Sequence, residues 1–307
     1  MGEKEGIKRF WWIYKFIYAF KKAIQYEISL GKDCHFNEEK LIEGLSNMMI
    51  RRLNTVNLDY AGNINESKIK NSLYFLYHLE KEILIKCGKN KNETFLETFK
   101  FVKLFYLIER WIDLFLYIQE NASQISHAGV SKKFIKIVEN LNPVFPFPFN
   151  LVLEKIKNKY KWTYGNEDFI KHSEYTVNAT SKDYIEIINK SYRETFRKIV
   201  QKKLRDITDP KKKKEKRKYK EKDTKICFFD VFLRYSESLR YHVFMPTNYN
   251  SENVYYWNLN IEWLTLTISE IFEYLLIDFL PVDEILKYGF INQHQKYRIQ
   301  LLSGLRI

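Results

Sequence analysis

The cysteines, histidines and a run of lysines are the residues of this chain whose types could do chemistry, and their spacing decides how much. Cys34, Cys87 and Cys227 are three, far apart, form no Cys-x-x-Cys, and only Cys34 has a histidine, His35, beside it. Such spacing makes neither a disulfide framework nor a zinc or iron–sulfur site, so plain thiols in a reducing compartment are expected. His78, His127, His172, His242 and His294 are scattered without ligand spacing. Arg234 and Arg240 stand near His242, but not at the separation of an Arg/His ribonuclease pair. No glycine-rich phosphate loop and no His-Glu-x-x-His occurs. The expectation is no metal, no cofactor and no catalytic centre of the chain's own.

Charge is the feature that remains. The chain carries 51 Lys+Arg against 38 Asp+Glu, a net of +13. From 211 to 225, Lys211, Lys212, Lys213, Lys214, Lys216, Arg217, Lys218, Lys220, Lys222 and Lys225 oppose Glu215, Glu221 and Asp223, so 10 − 3 leaves +7 in one segment. A run of this kind suits phosphate neutralisation on RNA or an acidic lipid surface. Like charges also repel and resist packing, and a solvated basic loop joining two strands is the expected conformation.

The elements that must carry these residues follow from composition and period. In 307 residues, 45% hydrophobic with only 10 Gly and 6 Pro, long regular elements and a sizeable core are expected, and full disorder is excluded. Phe95, Phe99, Val102, Phe105, Ile112 and Phe115 recur on one face at a 3.6 period. Weaker versions cover 9–30, 37–52, 69–85 and 132–141, so residues 1–141 read as an all-α domain. Apolar stretches at 10–20 and 95–118 are interrupted by charges and fall short of a membrane span of ~20 apolar residues. The acidic opening Glu3-Lys4-Glu5 does not fit a mitochondrial presequence, and Gly6 spoils a myristoylation signal at Gly2.

Three of the six prolines fall in 142–150, a Pro/Phe-rich segment that no helix or central strand can cross, and a linker is expected there. Beyond it a helix is expected at 151–160, a strand at 174–179, a helix at 182–197, strands at 226–232 and 240–245, and a helix at 264–279. The fold class is therefore α+β: an N-terminal all-α domain, then a C-terminal α+β domain over 151–307 with a small mixed sheet.

The order of motifs from 170 onward resembles the 30-kilodalton subunit of NADH:ubiquinone oxidoreductase, respiratory complex I. The resemblance rests on Asp206-Ile207-Thr208-Asp209-Pro210, the lysine run, Arg234-Tyr235-Ser236-Glu237-Ser238-Leu239-Arg240 between expected strands, a helix led by Trp263, Ile285-Leu286-Lys287-Tyr288-Gly289-Phe290, and Leu302-Ser303-Gly304. The family's Glu-Arg-Glu triplet after the tryptophan falls here on Thr265-Leu266-Thr267, and residues 1–141 have no counterpart in it. The resemblance implies a non-catalytic structural subunit of the quinone-reducing arm, bracing the 49-kilodalton and iron–sulfur subunits. Membrane association would come only through the assembly, on the matrix side of the mitochondrial inner membrane, with organelle encoding expected; a bacterial cytoplasm is the alternative. Partner contacts are expected at Trp263, Tyr288, Gly289, Phe290, Arg298, Ser303 and Gly304. The competing reading is an RNA-binding protein, most naturally a ribosomal one of an organelle, built on the basic run and on tyrosines and phenylalanines that can stack on bases.

Overall fold

The structure, a computed structural model, describes residues 3–29, 38–56, 58, 60–62, 64–84, 93–121, 126–141, 144–156, 159–164, 179–241, 251–283 and 293–303. Among the described residues, five helices occupy the first half: α1 (Glu3–Ile28), α2 (Glu38–Leu53), α3 (Glu66–Leu84), α4 (Glu93–Glu120) and α5 (His127–Asn140). Each lies where the 3.6 period places it, displaced by a few residues at its ends. α1 shows why: Phe10, Ile13, Phe16, Ile17, Phe20 and Ile24 recur every three or four residues and are buried on one face. α5 begins where the Ser126 hydroxyl accepts from the Gly129 amide at 3.2 Å, an N-cap that satisfies a donor the helix itself cannot.

After the proline-rich segment come a hairpin, β1 (Val152–Ile156) and β2 (Lys159–Tyr164), then α6 (Ala179–Lys203), α7 (Pro210–Lys222), the short β3 (Lys225–Ile226), α8 (Phe228–Tyr241), α9 (Ser251–Leu275), a 3-10 turn (Ile277–Phe279) and α10 (Gln293–Ser303). The sheet runs β2-β1-β3 with both pairings antiparallel, Leu153 facing Trp162 on one side and Ile226 on the other. The fold class is α+β as expected, rich in helix, with an antiparallel rather than mixed sheet among the described residues.

Several elements differ from expectation, each for a readable reason. In place of the helix expected at 151–160, residues 152–156 and 159–164 pair as strands, because Tyr160 and Trp162 of β2 alternate with lysines and meet Phe196 and Tyr192 of α6 edge to face, at 5.4 and 5.1 Å between centroids. The strand expected at 226–232 gives way to α8 from Phe228 onward, with Ile226 in β3; of the strand expected at 240–245, Arg240 and Tyr241 end α8 and 242–245 lie outside the described residues. An apolar run of this length is compatible with either period, and here Phe228, Phe229, Val231, Phe232, Tyr235 and Leu239 are all buried. The expected basic loop is α7, a helix. Of the strand expected at 174–179, residues 174–178 lie outside the described residues, and Ala179 opens α6.

The segment expected to separate two domains joins them. Phe145, Phe147 and Phe149 are buried. Phe145 meets Phe134 and Phe272, and Phe149 meets Phe20 and Phe228, rings from both sides of the segment. α1 packs on α6, and α9 packs on α4 and α2. Trp111 of α4 stacks on Phe272 of α9 with an interplanar angle of 7°. The prolines do exclude regular structure, but the phenylalanines between them supply a common core, so 1–141 and 151–307 share one hydrophobic cluster.

Candidate functional site

α7 is built to expose charge. Asp209 caps it, one carboxylate oxygen accepting from the Lys211 and Lys212 amides at 2.8 and 3.3 Å, with Pro210 in the first turn where its missing N–H costs nothing. Lysine is a good helix former, which lets a uniformly basic segment hold this shape. None of its residues is buried, and Lys211, Lys212, Lys213, Lys214, Lys216, Arg217 and Lys218 are all exposed. Tyr219 stands 64% exposed among them. Four lysines in the first turns oppose the helix dipole, whose positive end lies there, and no acid in the first turn offsets them. Among the described residues, side-chain ties to other elements lie at its C-terminal end: Lys155 of β1 reaches Glu221 at 2.7 Å, and just past the helix Lys203 of α6 donates to the Thr224 hydroxyl at 2.8 Å. The result is a rod about 20 Å long whose cations are unopposed by core packing. The outward face of β2 adds exposed Lys159 and Lys161.

A second basic region lies at the junction of α1, α6 and α8. Arg234 of α8 is held by α6: Nη2 donates to Glu194 at 2.9 Å, and Nη1 donates to the Thr195 hydroxyl at 3.1 Å. Next to it the Tyr235 hydroxyl donates to the Ser191 hydroxyl at 2.9 Å and accepts from the Trp12 indole at 3.0 Å, which locks three helices together. Burial pushes the Tyr235 phenol up to about 12. Burial also lowers the Lys198 ammonium, and the positive charges of Arg234 and Arg9 lower it further, against Glu194 and Glu237.

Of the residues expected to meet a partner, Arg298 and Trp263 are buried within the chain. Arg298 is not presented to one: its side chain, with those of Glu80 and Glu273, has 0% exposure. Its guanidinium grips Glu80 through Nη1 and Nη2, each at 3.0 Å, and Glu273 through Nε at 2.5 Å and Nη2 at 2.8 Å. Tyr77 donates to Glu273 at 2.9 Å, and the Gln295 amide donates to the Tyr77 carbonyl at 3.2 Å. Two-point geometry is what a guanidinium offers, but the carboxylates belong to α3 and α9 of its own chain. Trp263 is also buried, with the Lys21 ammonium 5.6 Å from its ring. Lys21 donates to Asn260 at 3.2 Å, and burial, then Lys22, lowers its pKa to about 8. Tyr288, Gly289, Phe290 and Gly304 lie outside the described residues; Ser303 is the last residue of α10.

Sequence reasoning passed over Glu80, Glu270 and Glu273. Glu80 carried a signal, for it sits on the stripe of Leu73, Leu76, Tyr77 and Ile83, where an acid must find a partner. Glu270, one turn from Glu273, is buried with neither carboxyl oxygen bonded among the described residues, and burial raises its pKa well above the usual carboxyl range. Among the described residues, no group of three or more His, Cys, Asp or Glu could hold a metal ion, and no helix is long and apolar enough to cross a membrane. Cys227 is buried, which pushes its thiol well above the ordinary value. The chain matches no protein-family model, no curated protein and no solved structure.

Proposed function

We propose that the chain is an RNA-binding protein that holds phosphate backbones on α7. The observation that carries this reading is a capped helix whose seven leading basic side chains are all exposed and none of which serves the core. Placing like charges on one rod costs stability through repulsion, and an anionic partner offsets that cost by releasing condensed counterions. Tyr219, exposed among them, adds a face on which a base can stack.

The reading implied by the resemblance, a structural subunit of complex I, needs strands on either side of 234–240 and a partner-facing Arg298. The chain has α8 and a buried ion cluster at those places, so the RNA reading is the better supported. The test is RNA binding by fluorescence polarisation across a salt series. Changing Lys211, Lys212, Lys213, Lys214 and Lys216 to Gln should weaken binding at least about 10-fold and flatten the salt slope by roughly 0.7 for each phosphate of a single strand that is no longer neutralised. Unchanged affinity and slope would remove α7 from the reading. Absence of RNA, together with co-purification of iron–sulfur and quinone-site subunits, would restore the structural-subunit reading.

A further inference from the structure

A cleft of about 440 Å³ opens between α3 and α4, lined by Asn65, Lys68, Asn71, Phe75, Arg110 and Tyr117 among others. Its volume lies within the range for ligand pockets, roughly 300–1,000 Å³. One end of it is held in place: the Tyr117 hydroxyl accepts from the Asn65 backbone amide at 3.1 Å, and Asn65 Oδ1 accepts from the Lys68 amide at 3.3 Å, which caps the first turn of α3. Its wall is Phe75, a large apolar ring left 49% exposed, with Tyr74 beside it at 50%.

Two observations indicate that this surface is arranged for a ligand. The first concerns its cations. Among the described residues, Lys68 and Arg110 face rings rather than carboxylates: the ammonium lies 3.7 Å from the Tyr117 ring centroid, and the guanidinium 5.9 Å from that of Phe75. Both are exposed, and Asp113, the acid of the lining, already has a partner. The second is the polar lining. Asn65, Ser67, Asn71 and Ser72 bring carboxamides and hydroxyls to the same opening, next to the exposed ring. A carboxamide offers a donor and an acceptor side by side, as the edge of a nucleobase does.

We propose that this cleft takes one base of a single-stranded RNA, splayed out from its neighbours, and so supplies a base preference that α7 cannot. Resting on the RNA reading, it divides the work: α7 neutralises phosphates whatever the sequence, and the cleft reads a base. The base stacks on Phe75, Asn71 and the neighbouring hydroxyls meet its edge, and Lys68 and Arg110 take the phosphates on either side. α4 extends the path. One turn before Arg110, on the same face, stands Tyr106, 37% exposed. Arg240 of α8 donates to its hydroxyl at 3.0 Å, with the guanidinium 5.7 Å from its ring centroid. Cations and exposed rings thus alternate from Lys68 through Phe75, Arg110 and Tyr106 to Arg240, the pattern of a single-strand channel. None of α7's residues lines the cleft.

Fluorescence polarisation with short RNA homopolymers of U, C and A tests it. Wild type should bind one of the three about 10-fold more tightly than the least favoured, the factor that ~1.4 kcal/mol represents. Phe75→Ala, at a half-exposed position that should leave the circular dichroism unchanged, should weaken the favoured strand by about that factor, bring the three level and leave the salt slope as it was. Arg110→Gln should instead flatten the slope by roughly 0.7. The quintuple Gln variant of α7 should lose affinity for all three strands alike and keep their order. If that variant binds as wild type does while Phe75→Ala weakens binding, the α7 reading falls and the cleft stands. If the quintuple variant weakens binding while Phe75→Ala and Asn71→Ala change neither affinity nor preference, the cleft is overturned and the α7 reading stands. Equal binding of the three homopolymers by wild type overturns the base preference, and no RNA binding by wild type overturns both.

Discussion

Arg298 and the lysines of α7 carry the same charge into opposite surroundings. Arg298 is cut off from water and held instead by four hydrogen bonds to Glu80 and Glu273. Lys211 to Lys214 keep their water and have given the fold only the backbone of a capped helix. Desolvation explains the contrast. Inside the protein a charge is tolerable only with partners in good geometry, and removing one partner leaves the others stranded. Outside, a charge contributes little to stability and stays available to whatever anion arrives. The buried cluster therefore belongs to the fold, and function is to be sought where the cations are still open to solvent.

The largest effect should come from breaking the buried cluster. Arg298→Ala leaves two carboxylates without their cation and should cost about 3–5 kcal/mol in urea unfolding. A cost below ~1 kcal/mol, no more than an exposed pair gives, would erase the contrast with α7.

Next is Glu270→Gln, which isolates the effect of desolvation within the same cluster. Burial raises the Glu270 pKa in the folded chain, helped by Glu273 and opposed by Arg298. The folded state then holds a proton that the unfolded state releases above about 4.3, so this group's contribution is full at low pH and declines as pH rises from there toward the folded pKa. Gln cannot lose that proton. The variant should match wild type near pH 4 and be the more stable of the two at neutral pH, as read from unfolding free energies across that window. Equal pH profiles would mean that Glu270 is solvated.

The smallest effect belongs to the exposed region. Asp209→Ala removes the cap of α7 and should cost the helix about 0.5–2 kcal/mol locally. Hydrogen exchange at the Lys211 and Lys212 amides should accelerate while the melting temperature of the whole chain scarcely moves. A large fall in melting temperature would show that α7 is coupled to the core.

The same contrast explains what could be seen in the sequence. The five helices of the first half were legible because one face is apolar at a regular period and helix boundaries need little else. α7 was legible in principle: Asp209-Pro210 is a cap followed by a first-turn proline, and lysines favour helix, yet charge repulsion argued for a loop. α8 had its own signal in Cys227 and Asp230. The Asp230 carboxylate, three residues into the segment, accepts from the Cys227 amide at 2.9 Å, which is one arm of a capping box. β2 had one too, in the alternation Lys159-Tyr160-Lys161-Trp162. The cleft was not legible, because Lys68 and Phe75 meet Tyr117 and Arg110 only when α3 lies against α4. Nor was the fate of Arg298, whose partner Glu80 stands 218 positions away.

The position of α1 has a consequence for how the chain is made. Trp12 finds Tyr235 across 223 residues, and Lys21 finds Asn260 across 239. A ribosome adding about 5–20 residues per second needs roughly ten to forty-five seconds to cover the first of those distances. During that interval Phe10, Phe16 and Phe20 have left the exit tunnel, while α6, α8 and α9, which will cover them, have yet to be synthesised. Contacts of such separation form late and slowly. A nascent chain halted before α6 would display an aromatic helix only partly covered, and that is the species on which holding chaperones should act.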